Sequence, residues 1–163
     1  MRLTLVVTCT LAVAVSKAVA APPTTGLLVP GFSLGGLALG DTKATVEAAW
    51  GRAYGRCRSC PRETWYFNYF AFQPRGAAVE LRRGRVAAIY TLYQPPGWRT
   101  KLGLELGDPA ARVTSSYGAL VRRQCRGYYA LLLARGRAVT AFYVLDERLW
   151  AFGLASPGIP VCR

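Results

Sequence analysis

The chain has 163 residues, with 21 Lys or Arg against 8 Asp or Glu, a formal net charge of +13, and no histidine. Without histidine there is no Ser-His-Asp or Cys-His nucleophilic machinery and no His-ligated metal site. The cationic excess is nearly all arginine and points to anionic partners such as cell-wall polymers or membrane head groups; no nucleic-acid-binding motif accompanies it.

Residues 1–20 read as a secretory signal. Met1-Arg2 supplies the positive end, Leu3 to Val15 an apolar run, and Ala18-Val19-Ala20 a small-x-small cleavage site. The run is shorter than the roughly 20 residues of an ordinary spanning helix; retention as an N-terminal anchor is the alternative to cleavage. Cys9 lies inside the run and not at its end, so no lipidated cysteine is expected. The remainder is expected to be one compact domain, secreted or held in the cell envelope, and not transmembrane. Residues 21–33, rich in Pro, Thr and Gly, are expected to be a flexible lead-in.

The rest of the chain is written twice, as repeat 1 (34–94), a hinge (95–103) and repeat 2 (104–163). Leu37-Ala-Leu-Gly-Asp41, Val46, Trp50 and Gly51 return as Leu104-Glu-Leu-Gly-Asp108, Val113, Tyr117 and Gly118. In each copy the aspartate is expected to cap a short helix, with Pro109 as a first helical residue behind Asp108. Val46, Ala49 and Trp50 have helical spacing, as do Val113, Ser116 and Tyr117, and Gly51 and Gly118 stand where a helix ends.

Four cysteines lie beyond the signal: Cys57, Cys60, Cys125 and Cys162. An even count in an exported chain reads as disulfides, with three possible connectivities. Cys57 and Cys125 follow equivalent helices, which favours Cys57–Cys60 and Cys125–Cys162. One tetrathiolate zinc is a rival, but Cys125 and Cys162 do not form a Cys-x-x-Cys knuckle. A redox-active Cys57-Arg-Ser-Cys60 flanked by Arg56, Arg58 and Arg62 is another, outside the helix-start context that such motifs use.

Three strands are predicted after each helix: 64–73, 77–82 and 85–94, then 128–134, 138–145 and 148–155. Arg83-Gly84 and Asp146-Glu147 mark the tight turns. The expected fold is therefore α+β, two tandem α-β-β-β repeats forming one antiparallel sheet of about six strands, with short helices on one face. The aromatic run from Trp65 to Phe72 is expected either in a central strand or lining a groove.

The unit resembles a known repeat. Leu39-Gly40-Asp41-Thr42-Lys43 with Val46, Gly51 and Gly84-Arg85-Val86, and in the second copy Leu106-Gly107-Asp108, Val113, Gly118 and Arg148-Leu149, are similar to the tandem α/β repeats of the β-lactamase inhibitory protein (BLIP-like) and to the SmpA/OmlA (BamE-like) module. The Cys-Arg-Ser-Cys and Trp-Tyr-Phe segments also resemble those of actinobacterial secreted proteins. Thr45 stands where the SmpA/OmlA helix usually carries an acidic residue or Gln. The resemblance implies a concave sheet face that binds protein. On that analogy Trp65, Phe67, Tyr69, Tyr90, Tyr93 and Trp98 are the contact candidates.

No carboxylate pair has a spacing that builds an acid/base site, and Leu34-Gly35-Gly36 lacks the setting of a phosphate loop. The expectation is a non-enzymatic binding protein without cofactor or metal, its partner a protein or an anionic envelope polymer. Alternatives are a charge-driven adhesion module acting through Arg82, Arg83 and Arg85, and a thiol–disulfide oxidoreductase using Cys57 and Cys60.

Overall fold

The computed structural model describes residues 23–70 and 73–163; the side chains of 68–74 lie outside it, as does the predicted signal segment. In chain order the elements are β1 (Gly26–Val29), β2 (Ser33–Leu34), β3 (Leu37–Ala38), α1 (Lys43–Trp50), β4 (Gly55–Arg56), β5 (Glu63–Phe70), β6 (Gln73–Arg82) and β7 (Arg85–Leu92). They continue as β8 (Trp98–Thr100), α2 (Ala110–Tyr117), β9 (Val121–Gln124), β10 (Tyr129–Arg135), β11 (Ala138–Leu145) and β12 (Arg148–Ala155).

These strands form two sheets, not the single sheet of about six expected of an α+β tandem repeat. The larger has eight antiparallel strands in the order β4-β5-β6-β7-β12-β11-β10-β9; the smaller has four in the order β3-β2-β1-β8. The six strands predicted from alternation make the middle of the large sheet. Edge strands β4 and β9 and the whole small sheet were not anticipated, because segments of two to four residues are too short to show a period of two. Strand β1 falls in the stretch expected to be a flexible lead-in, and β8 in the expected hinge. They pair with each other in parallel, Gly26 opposite Trp98 and Leu28 opposite Thr100.

The small sheet and both helices cover one face of the large sheet. Leu28, Leu34 and Leu37 from the small sheet, Val46 and Trp50 from α1 and Val113 from α2 close on Val79, Ile89, Phe142 and Phe152. Trp50 organises this core. Its ring meets Phe67 and Trp98 edge-on at centroid distances of 5.2 and 6.5 Å, and its indole N–H donates to Gly35 O at 2.8 Å. Gly35 must be glycine: its φ is +60°, and an added Cβ would sit 2.8 Å from the Trp98 ring.

The aspartates do not cap the helices. Asp41 and Asp108 turn backward, each taking a backbone N–H at 2.8 Å, from Ala38 and Glu105 respectively. Helix α1 is capped one residue later by Thr42, whose hydroxyl accepts from Thr45 N at 3.1 Å, and α2 starts behind Pro109 with no side-chain cap. Each Leu-Gly-Asp turn instead docks onto a strand. Gly40 N donates to Val86 O and Val86 N to Asp41 O; Gly107 N donates to Leu149 O and Leu149 N to Asp108 O. The hairpin turns carry positive φ at both central residues, Arg83 and Gly84 in one, Asp146 and Glu147 in the other, which matches the twist of the flanking strands.

Candidate functional site

Alternation along the central strands sends every second side chain to the face that helices and small sheet leave open. That face has a floor of small residues, Ala78, Ala130, Ala141 and Ala151, and walls of large ones. Tyr66, Tyr90, Tyr93, Tyr128, Tyr143 and Trp150 line a cleft of about 620 Å³ above it. Gly153 sustains this arrangement: a Cβ there would lie 2.8 Å from the Tyr143 ring, so glycine lets that ring rest on the sheet. Tyr93 and Trp150 pack edge-on at 5.7 Å, and Tyr128 lies 6.0 Å from Trp150.

Charge enters the cleft at Glu80, which is 6 % exposed. Both its oxygens are engaged: Oε2 accepts from Arg62 Nε at 2.7 Å and Oε1 from an Arg163 guanidinium nitrogen at 2.8 Å. Two guanidiniums therefore converge on one carboxylate. Arg163 also stacks on Tyr90 at 4.7 Å. Burial raises the Tyr90 phenol above its ordinary range and pushes Tyr143 up to about 12, so both are neutral hydrogen-bonding groups at neutral pH.

Residues 156–163 cross this face. Ile159 is buried on Ala87, Ala88 and Ala155. Tyr143 donates to Val161 O at 2.6 Å; the Tyr128 hydroxyl accepts from Arg163 N at 2.6 Å and donates to Arg163 O at 2.8 Å. Cys162 is bonded to Cys125, just beyond β9, and Cys57 to Cys60 in the β4–β5 connection. All four thiols are thus committed to disulfides. The Cys57–Cys60 pair does not start a helix, as thioredoxin-like chemistry would require. Among the described residues no group of three or more His, Cys, Asp or Glu could hold a metal ion.

The residues singled out from sequence separate into three groups. Tyr90 and Tyr93 line the cleft. Trp65, Phe67 and Trp98 are at most 1 % exposed and belong to the core on the opposite face, so they present no contact surface. An aromatic run alone does not say which parity faces outward, and the analogy chose the inward one. The Tyr69 side chain lies outside the described residues. Arg82, Arg83 and Arg85 stand exposed at the β6–β7 hairpin, away from the cleft lining, and Arg85 donates to Gly40 O at 3.0 Å. Tyr66, Tyr128, Tyr143, Trp150, Glu80 and Arg163 were not anticipated. The signal that could have found the rings is the recurrence of alanine beside large aromatics at one parity of the central strands.

No protein-family profile and no curated protein sequence matches the chain. Two solved structures share its fold at a TM-score of 0.50. An extracellular protein containing an SCP domain from Bacillus anthracis str. Ames is 13% identical, over 73% of this chain and 44% of its own. A DUF4309 family protein (YjgB) from Bacillus subtilis subsp. subtilis str. 168 is 14% identical, over 71% of this chain and 78% of its own. The chain thus spans less than half of the first structure. Both neighbours are β-rich, and neither supports the resemblance to BLIP-like or BamE-like repeats. At these identities the likeness is one of fold.

Proposed function

We propose that the chain is an exported, non-enzymatic binding protein whose tyrosine cleft takes an anionic envelope polymer, specifically an acidic polysaccharide. The observation that carries this reading is the joining of a wall of aromatic rings, running from the buried Tyr90 and Tyr143 to the exposed Tyr93, to two arginine side chains that meet at Glu80. Flat apolar rings with polar tips suit the C–H faces and hydroxyls of a sugar, and a guanidinium offers a paired donor to a uronate carboxylate. The net charge, +13 for the whole chain and +11 without Arg2 and Lys17 of the predicted signal, draws such a polymer in over a longer range. Two disulfides fit an oxidising compartment, and the first structural neighbour is described as extracellular. Among the described residues no helix is long and apolar enough to cross a membrane.

Titration calorimetry with polygalacturonate, and with neutral dextran as the control, tests it. Wild type should bind polygalacturonate only, with affinity falling as added salt brings the Debye length below about 10 Å. Trp150→Ala and Tyr93→Ala should each weaken binding at every salt concentration. A charge-driven adhesion module predicts the reverse pattern: reversal of Arg82, Arg83 and Arg85 abolishes binding while Trp150→Ala leaves it intact. That pattern, or no binding by wild type, overturns the cleft as the site.

A further inference from the structure

Two sharp turns leave one end of the small sheet, and each presents a large apolar side chain to solvent. Because β1 and β8 pair in parallel, with Leu28 opposite Thr100, the turns that follow them lie side by side. The first, 29–32, is closed by Phe32 N donating to Val29 O at 2.9 Å, and the second, 100–103, by Gly103 N donating to Thr100 O at 3.1 Å. Phe32 is 68 % exposed and Leu102 59 %. Turns favour small or polar residues, so folding alone does not account for a phenyl ring and a leucine at these tips. The β10–β11 hairpin brings charge to the same end. Gly31 N donates to Thr140 Oγ1 at 2.9 Å, and a Cβ on Gly31 would lie 2.9 Å from Arg135 Cβ, so the first turn rests on that hairpin. Arg135 has the parity of Tyr129, Leu131 and Leu133, which face the core, and so stands on the side away from the cleft. Lys101, Arg135 and Arg137 are exposed, and among the described residues no ion pair takes up any of them. Of the acids that follow the second turn, Asp108 is paired with Arg112 at 2.8 Å and Glu105 stands across a backbone bridge from Arg99.

We propose that this end of the molecule docks on the surface of an anionic phospholipid bilayer, with Phe32 and Leu102 entering the interface and Lys101, Arg135 and Arg137 meeting the phosphates. A protein partner fits the geometry less well. A stable protein interface buries about 800 Å² on each side around a packed apolar centre, and two projecting side chains do not build one. A bilayer interface needs no matching pocket. Apolar side chains partition into it singly, and each nearby cation adds attraction through the negative surface potential. Neither contribution holds the protein firmly by itself, so docking is reversible and needs both. The site is separate from the cleft. The small sheet covers one face of the large sheet and the cleft opens on the other, so a molecule resting on a membrane through these turns keeps its cleft uncovered.

Co-sedimentation of the secreted protein with vesicles of equal parts phosphatidylcholine and phosphatidylglycerol, and with pure phosphatidylcholine vesicles as the control, tests the site. Wild type should bind the mixed vesicles and leave the neutral ones. Phe32→Ser should weaken binding roughly tenfold, because the burial of one large apolar side chain is lost, and Leu102→Ser repeats the test on the second tip. Both side chains are exposed, so both variants should melt as wild type does. Arg135→Glu should weaken binding by at least about fivefold. Arg126→Glu makes the same change of charge before the other end of β10, roughly 20 Å away and beyond a Debye length, and should have less than about half that effect. In Phe32→Trp the tryptophan emission should move to shorter wavelength on the mixed vesicles, a shift that wild type lacks. Wild type that stays in the supernatant overturns the site. So do full binding by Phe32→Ser, an unshifted Phe32→Trp, or equal losses from Arg126→Glu and Arg135→Glu, each of which would leave net charge as the whole attraction. Polygalacturonate affinity should be unchanged in Phe32→Ser, which keeps failure of this site distinct from failure of the cleft.

Discussion

Tyr143 shows how a single residue ties the open face to the rest of the molecule. Its ring lies where Gly153 has no side chain, and its hydroxyl donates to Val161 O at 2.6 Å. Burial raises the phenol from 10.0 in water to about 12, so the folded protein holds that proton more tightly than the unfolded chain does. This contribution to stability is complete below pH 10.0 and is lost as pH rises through about 12. Tyr90, raised for the same reason, adds to the slope. In urea unfolding across an alkaline pH series, Tyr143→Phe should be about 1 kcal/mol less stable at neutral pH through the lost hydrogen bond. It should also lose stability less steeply between pH 10 and 12 than wild type. At this scale the sequence is a partial guide. Val46, Trp50 and Val113 can be read as buried because helical spacing fixes their direction. Glu80 cannot, because its two arginine partners come from positions 62 and 163 and no local pattern joins them.

Among the elements, the turns and long strands declare themselves while the short strands do not. Arg83-Gly84 and Asp146-Glu147 stand at two-residue hairpin turns whose φ is positive at both positions; Gly84 takes that conformation freely, whereas Arg83 and Glu147 are held in it by the flanking strands, and both turns are marked locally by the strand-like runs on either side. Strand β8 exists because β1, itself paired on its other side with β2, is its parallel partner, a pairing between residues far apart in the chain that the Trp98 side chain anchors. Its ring fills the space left by Gly26 and Gly35 and meets Trp50. Trp98→Ala should therefore cost about 3–5 kcal/mol in equilibrium unfolding, as for a large cavity in a core. A Trp98 that served only as a surface contact would leave stability nearly unchanged, and that result would refute its core role. The Leu-Gly-Asp turns carry a related lesson. The motif marks the right place for a helix to follow, yet its aspartate satisfies the turn before the helix, leaving the cap to Thr42.

For the molecule as a whole, the two disulfides act on very different lengths of chain. Cys57–Cys60 spans a sequence separation of 3 and Cys125–Cys162 one of 37, enclosing β10, β11 and β12. Loop entropy assigns about 2 kcal/mol to the first and about 4 kcal/mol to the second. Cys162→Ser should accordingly lower the melting temperature clearly more than Cys60→Ser in calorimetric scans, and equal losses would contradict the assignment. Length, basic charge and paired cysteines were all legible before any fold was known. The division into two sheets was not, since it depends on strands too short to announce themselves.

Among the described residues the eight-stranded sheet ends in two unpaired margins, β4 with Gly55 and Arg56, and β9 with Arg122 and Arg123 at its centre. An open margin is a template on which a second chain can hydrogen-bond, the first step toward fibrous aggregates. Here one margin is only two residues long, and the other would set arginine close to arginine across any self-pairing. The cations at the margins thus protect the protein from itself when it is concentrated. That protection is conditional on charge: a dense polyanion that neutralises Arg122 and Arg123 would also remove the barrier to stacking sheet on sheet edge. The arginine excess thus makes the protein's colloidal behaviour depend on how much polyanion is present.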